Sequence, residues 1–426
     1  MAVVRRRCTA VLIAFALPLA GAAGGQTLPA AAFAPRSVAE VESQALAGSP
    51  ALAAARAELA ARRAAARAAG ALDDPRLEVE TRNLLPAGDH EPAEGMLVYE
   101  QPLPGRGQRA AARAVAAAEV ALAEAEVGRS EQLLLRDVRV GWAEVYALTR
   151  ELDALSEAHE LLDLLVASAS TLYGAGQTGL GAPLMAQLEL SRHDLDVEAA
   201  DSKLAAAAAR LAALAGAPAA GGVPRVTALP DVVLPRIDPA TAAPFALEAV
   251  IAERRVALAE RRAAALAAGL APGFSVGGGL LLMDGRDPNL IARVGVELPI
   301  FRARRERPRV EAAGLEAAAE RERRRAAELD ARAELARWLA EGRRLETVRR
   351  RYREAVLPQG SAALDAARAE LLSGRGPLSE VLERFEDWYH DRIDLARAEA
   401  DLYAAWAEIE ALLASPLPAA PEGGSR

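Results

Sequence analysis

Residues Gly107 to Tyr173 contain no proline, and only Gly128 and Gly141 interrupt the run before its end. Within it Val127, Leu134, Val138, Val145, Leu148, Leu152, Leu155, Leu162, Val166 and Tyr173 advance by threes, fours and sevens. That spacing keeps apolar side chains on one stripe of an α-helix and is the seam of a coiled coil. At 1.5 Å of rise per residue the helix is roughly 100 Å long. An ordinary globule cannot enclose such a rod, so the chain must be elongated. The Gly-rich stretch GAGQTGLGAP then reverses the chain, and a second helix is expected over about Leu184 to Leu214.

The rest of the sequence repeats this plan. LAARRAAARAAG at 59–70 recurs as LAERRAAALAAG at 258–269, an offset of 199. An Ala/Arg-rich chain makes such a match cheaply, so other residue types must carry the argument. Pro75 and Pro102 recur as Pro272 and Pro299 at an offset of 197, and Gly176 as Gly374 at 198. Each half reads helix, strand, strand, long helix, reversal, helix. The expected organisation is a signal peptide at 1–25, a lead at 26–36 and a first repeat at 37–215. A Pro/Gly-rich linker at 216–240, a second repeat at 241–415 and a flexible tail at 416–426 follow. Strands are expected at about 76–84 and 95–103, then at 273–283 and 289–300. Helices are expected from Ser37 to Gly70, Phe245 to Gly269, Arg309 to Leu372 and Leu378 to Leu413. The last carries a seam of Val381, Phe385, Trp388, Leu395, Leu402, Trp406, Ile409 and Leu413.

The N-terminus points to export. Arg5, Arg6 and Arg7 precede a short apolar stretch, and small residues before Gln26 supply a cleavage region. Cys8, the only cysteine, lies inside that peptide, so no disulfide or thiol chemistry is expected of the mature chain. The formal charge of −8 argues against nucleic acid as a partner.

In an exported chain the strands gain a second meaning. Leu77, Val79 and Thr81 alternate with Arg76, Glu78, Glu80 and Arg82. Phe274, Val276, Gly278, Leu280 and Leu282 form one row of the third strand; Leu290, Ala292, Val294, Val296 and Leu298 form one row of the fourth. Strands of about nine to twelve residues with one apolar row suit a tilted transmembrane barrel. Glu80, Arg82, Arg293 and Glu297 would then face its lumen, because charge in lipid is costly. Four strands cannot close a barrel, and open edges are not tolerated in lipid. Closure requires several chains, and three give twelve strands. The competing reading is a soluble periplasmic coiled-coil structural protein with an ordinary small sheet and no pore.

Several stretches carry a resemblance. They are the duplicated plan, QPLPGRGQR after the second strand, ELPIFRARRE after the fourth, and the reversals YGAGQTGLGAPL and LLSGRGPLSEVLERF. In their order and spacing the chain resembles the TolC family of outer-membrane efflux proteins over essentially its whole mature length. The resemblance implies a mainly α fold with a membrane β-barrel portion: a homotrimer whose twelve-stranded barrel, set in outer-membrane lipid, continues as a periplasmic coiled-coil α-helical barrel. The function implied is a passive exit duct. It would be served by a periplasmic adaptor (membrane fusion) protein and an inner-membrane pump, of the resistance-nodulation-division class. A duct for type I protein secretion is the alternative within the family. LEVETRNLLPAG most resembles the heavy-metal efflux branch, whereas ELPIFRARRERPR departs from that branch's usual Asp-Arg-Asn run.

The family carries acidic residues six and nine positions after the second reversal's glycine, lining the closed periplasmic end. Counted from Gly374 these are Glu380 and Glu383; the same count from Gly176 gives Ala182 and Met185. Three copies of Glu380 and Glu383 would make two acidic rings that favour cations. The resemblance also implies adaptor contact at the tips, through Gly176, Thr178, Gly179, Leu180, Gly374, Arg375 and Gly376.

Other signals are weak. Asp89-His90-Glu91 is explained equally well by a polar loop, and no Cys/His cluster, phosphate loop or triad is present in the sequence. No catalytic residue, metal or cofactor is expected. The basic runs Arg302–Arg309 and Arg321–Arg325 read as solvated helix faces with partners three or four residues away. Trp142, Trp338, Trp388 and Trp406 read as packing residues.

Overall fold

The structure is a computed structural model that describes Pro35 and residues 37–82, 94–217, 224–283, 287–297, 300–301 and 303–414. The expected signal peptide, loop residues Asp89-His90-Glu91 and the tail at 416–426 lie outside these residues, as do Arg302, Leu298 and Pro299.

The first repeat holds α1 (Val38–Gly48), α2 (Pro50–Ala68), β1 (Arg76–Arg82), β2 (Glu94–Leu103), α3 (Gln108–Gly174) and α4 (Gly181–Leu214). The second holds α5 (Pro239–Ala242), α6 (Leu247–Ala268), β3 (Gly273–Met283), β4 (Asn289–Glu297), α7 (Glu306–Arg351), α8 (Leu357–Leu372) and α9 (Leu378–Leu412). Three departures from the sequence expectation have local causes. The helix expected over 37–70 is two helices, because the Ser49 hydroxyl accepts from the Leu52 amide and caps a new start with Pro50 in its first turn. The helix expected over 309–372 is broken at Tyr352–Val356 by a π-helical turn just before Pro358, whose ring cannot accept a regular helical neighbour. The fourth strand ends at Glu297 among the described residues, and Ile300 lies in the following turn.

The strands form one antiparallel sheet in the order β1-β2-β3-β4. Register puts Val79 beside Leu97, Leu97 beside Leu280, and Leu280 beside Leu290, so one face is apolar across its width. Most of that row is exposed, Leu290 by 85% and Val294 by 76%. The opposite face carries the row Arg76, Glu100, Gly277 and Arg293. Glycine is required on this face at Gly279, where a Cβ would lie 2.3 Å from the Leu97 carbonyl oxygen.

The helices run from the sheet to the two reversals. α2 packs on α3, α3 on α6, and α6 on α7, while α4 and α9 pack on α3 and α8 packs on α9. The largest core lies there and is rich in alanine. Val138, Val145, Leu152, Leu155 and Leu162 of the α3 seam are buried, as are Val381, Phe385, Leu402 and Ile409 of α9. Trp142 is buried with them, while the guanidinium groups of Arg139, Arg337 and Arg392 lie 4.2–4.9 Å over Trp406, Trp338 and Trp388. Residues 224–238 cross the helices as an extended strap. Its Leu234 fills the space at Gly342 of α7, where a Cβ would fall 2.6 Å from Leu234 Cδ1. No described helix is long and apolar enough to cross a membrane.

Candidate functional site

Both reversals are built the same way. Gly176 and Gly374 adopt φ of 69° and 70°, a left-handed conformation that a Cβ penalises. The Gln177 amide reaches back to the Leu172 carbonyl at 2.9 Å, and the Arg375 amide to that of Glu370 at 3.0 Å. These are the crossed bonds of a Schellman cap, which satisfy the last carbonyls of α3 and α8. The two tips sit side by side. Thr178, Gly179, Gly374 and Gly376 line a groove of about 370 Å³, whereas Gly176, Leu180 and Arg375 are not part of it. Leu180 is exposed at the start of α4, and Arg375 bonds back to the Ser373 hydroxyl at 3.0 Å.

Glu380 and Glu383 project from the first turns of α9, and both are exposed. A helix N-terminus favours a carboxylate at Glu380. Glu383 meets the Arg384 guanidinium at 3.2 Å. The structure continues their face: Asp387, Asp391 and Asp394 follow at spacings of four, four and three along the same helix. Burial, then the charges of Asp387 and Asp394, raise the Asp391 pKa. This acidic ladder was missed, although its three-four spacing is written in the sequence. Also missed was a carboxyl pair across α4 and α9. Glu386 is hydrogen-bonded to Glu189, and burial followed by the Glu189 charge raises the Glu386 pKa.

Histidine chemistry near this face is structural. His193 is buried, with Nε2 2.7 Å from the Leu155 carbonyl oxygen and its ring edge-on to Tyr389. His159 faces Asp194 at 3.3 Å and Asp163 at 3.7 Å. Among the described residues no group of three or more His, Cys, Asp or Glu could hold a metal ion. The basic run on α7 differs from its expectation in part. Arg323 and Arg325 pair locally, but Arg321 and Arg324 reach across to Glu260 and Glu253 of α6. Those residues join helices rather than decorate a free surface.

Among the described residues the chain joins an open sheet, with one apolar exposed face and two unpaired edges, to a rod of helices of which α3 alone is about 100 Å long. Residues 41–217 match the model of the outer membrane efflux protein family. VceC, an outer membrane protein of Vibrio cholerae, is 18% identical with a TM-score of 0.75, covering 88% of this chain and 95% of that one. CusC is 19% identical with a TM-score of 0.77, covering 88% and 92%. The open state of the MtrE outer membrane channel of Neisseria gonorrhoeae is 15% identical with a TM-score of 0.69, covering 88% of each. No curated protein sequence matches the chain. Likeness at these identities establishes the fold.

Proposed function

We propose that three copies of the chain form the exit duct of a tripartite efflux system. An inner-membrane pump, of the resistance-nodulation-division class, drives solute through a periplasmic adaptor into the duct. The observation that carries the reading is the sheet: its apolar face is exposed from β1 to β4, and among the described residues neither edge is paired with a further strand. In lipid every strand edge must be satisfied, and four strands are too few to close alone. Three copies supply twelve strands. The two tips, with Thr178, Gly179 and Gly374 at their groove, are the adaptor contact, together with Gly176, Leu180, Arg375 and Gly376 around it.

Glu380 and Glu383 form the gate. In a trimer their carboxylates make two rings near the tips, and Asp387, Asp391 and Asp394 extend the acidic lining inward. Such a lining attracts cations and repels anions. CusC and VceC are similar in fold alone, so the exported solute is named by experiment. A strain lacking the chain is exposed to metals, biocides and antibiotics, then complemented. The reading expects hypersensitivity that the chain restores and that an adaptor copurifies with it. Unchanged sensitivity to all three classes would overturn it.

A further inference from the structure

The two repeats leave the sheet differently. After β2 the chain folds back on itself: Leu103 and Pro104 are half-buried, and a Cβ on Gly105 would lie 2.7 Å from the Pro272 carbonyl oxygen. Gln108 Nε2 donates to the Ala271 carbonyl at 3.4 Å, and Arg109 Nε to that of Gly70 at 2.8 Å. At the offset of 197 the equivalents of Leu103 and Pro104 are Ile300 and Phe301, and these are 76% and 66% exposed. The turn is closed by its own backbone, since the Arg304 and Arg305 amides both donate to the Phe301 carbonyl at 3.0 Å. Arg304, Arg305, Arg307 and Arg309 follow, all exposed. Four arginines against Glu306 alone give residues 303–309 a formal charge of +3, in a chain whose total is −8. Arg305 meets Glu306 at 3.5 Å, and the local partners expected for the other three are not made among the described residues. Four acids at this end of the sheet gather elsewhere. Asp73, Glu100, Glu297 and Glu306 line a cavity of about 740 Å³, and none of the four arginines does.

We infer that this turn is a headgroup site for anionic phospholipid in the leaflet facing the periplasm. The inference rests on the reading that the sheet lies in the outer membrane. The turn stands at the end of the sheet from which the helices leave, so it marks the inner boundary of the lipid. The apolar row of β4, with Val294 and Val296 exposed, runs into Ile300 and Phe301 and then into arginine. That order suits an interface. The apolar side chains enter the acyl region, while each arginine keeps its stem beside them and its guanidinium in the headgroup layer. A guanidinium takes two phosphate oxygens at once, and Arg304, Arg307 and Arg309 have no carboxylate among the described residues to compete for it. The surplus charge selects lipids by net charge. A choline headgroup brings its own cation, whereas a glycerol headgroup leaves the phosphate uncompensated.

Heating the purified full chain in neutral detergent, with phosphatidylglycerol or phosphatidylcholine added, tests this through the temperature at which the oligomer is lost. Phosphatidylglycerol should raise that temperature by several degrees more than phosphatidylcholine, and high salt should remove the difference. Inorganic phosphate should give no such shift. Arg304→Gln/Arg307→Gln/Arg309→Gln should abolish the preference, while Arg343→Gln/Arg350→Gln, on exposed arginines of α7 far from the sheet, should keep it. Equal stabilisation by both lipids, an equal shift from inorganic phosphate, or a preference that survives the triple substitution would overturn the site; so would loss of the preference in both variants. A triple variant already monomeric without lipid would assign the arginines to contacts between copies and overturn it too. Recovery of the unaltered chain outside the outer-membrane fraction would overturn the membrane setting itself, a failure distinct from that of the site.

Discussion

The Tyr146 hydroxyl donates a 2.5 Å hydrogen bond to Glu399 Oε2, while Arg353 donates to Oε1 of the same carboxylate. Tyr146 belongs to α3, Glu399 to α9 and Arg353 to the π-helical turn, so one carboxylate joins both repeats where the second is irregular. Burial, followed by the bond to Glu399, raises the Tyr146 pKa, which keeps the phenol protonated as a donor. Tyr146→Phe removes one donor and leaves Glu399 with its arginine. A loss of about 1–2 kcal/mol is expected in denaturant unfolding of the solubilised protein. No measurable loss would mean that water replaces the phenol at no cost.

The Glu189–Glu386 pair predicts a pH dependence. The Glu386 pKa lies above its ordinary value of 4.5, through burial first and the Glu189 charge second. The folded state therefore binds this proton more tightly than the unfolded state does. Relative stability is held below the ordinary carboxylate range and falls as pH rises through the raised folded value. Glu386→Gln keeps a hydrogen bond to Glu189 without a second charge. It should stabilise the protein at neutral pH and lose that advantage as the pH is lowered towards 4.5 and below. Melting curves across that range check this; an advantage independent of pH would contradict it.

Gly279 sets the register of the sheet. A Cβ there would meet the Leu97 carbonyl oxygen at 2.3 Å, and backbone on a paired strand cannot swing aside as a side chain can. Gly279→Ala should therefore disrupt the β2–β3 pair, and with it assembly. The measurement is the fraction of heat-resistant oligomer in outer-membrane extracts, expected to fall several-fold. Gly314, on α7, where nothing lies within 4 Å of an added Cβ, serves as the control.

Much of the architecture was legible because it rests on period and punctuation. The α3 seam, the strand alternation and Pro75, Pro102 and Pro272 are local signals, and each survives in the structure as a helix, a face or a strand end. The breaks were harder to read. Ser49-Pro50 is a helix start in the middle of an alanine-rich run, and its meaning depends on a capping bond of one hydroxyl. The π-helical turn at Tyr352–Val356 lies just before Pro358, and its Arg353 bonds to Glu399, which lies far along the chain. The same distance in sequence hid the Glu189–Glu386 pair and the reach of Arg321 and Arg324 to α6. Glu380 and Glu383 were singled out through the resemblance, by counting from Gly374, while the acidic ladder that continues them is written in every third and fourth residue of α9.

Ion conduction by the purified chain in planar bilayers is the most direct measurement of the proposed duct. Trimers should give discrete conductance steps selective for cations, with Glu380→Ala/Glu383→Ala changing that selectivity and relieving block by divalent cations. A monomer without conductance would contradict the channel itself; a conducting trimer whose selectivity and block are unaffected by the double substitution would contradict the gate.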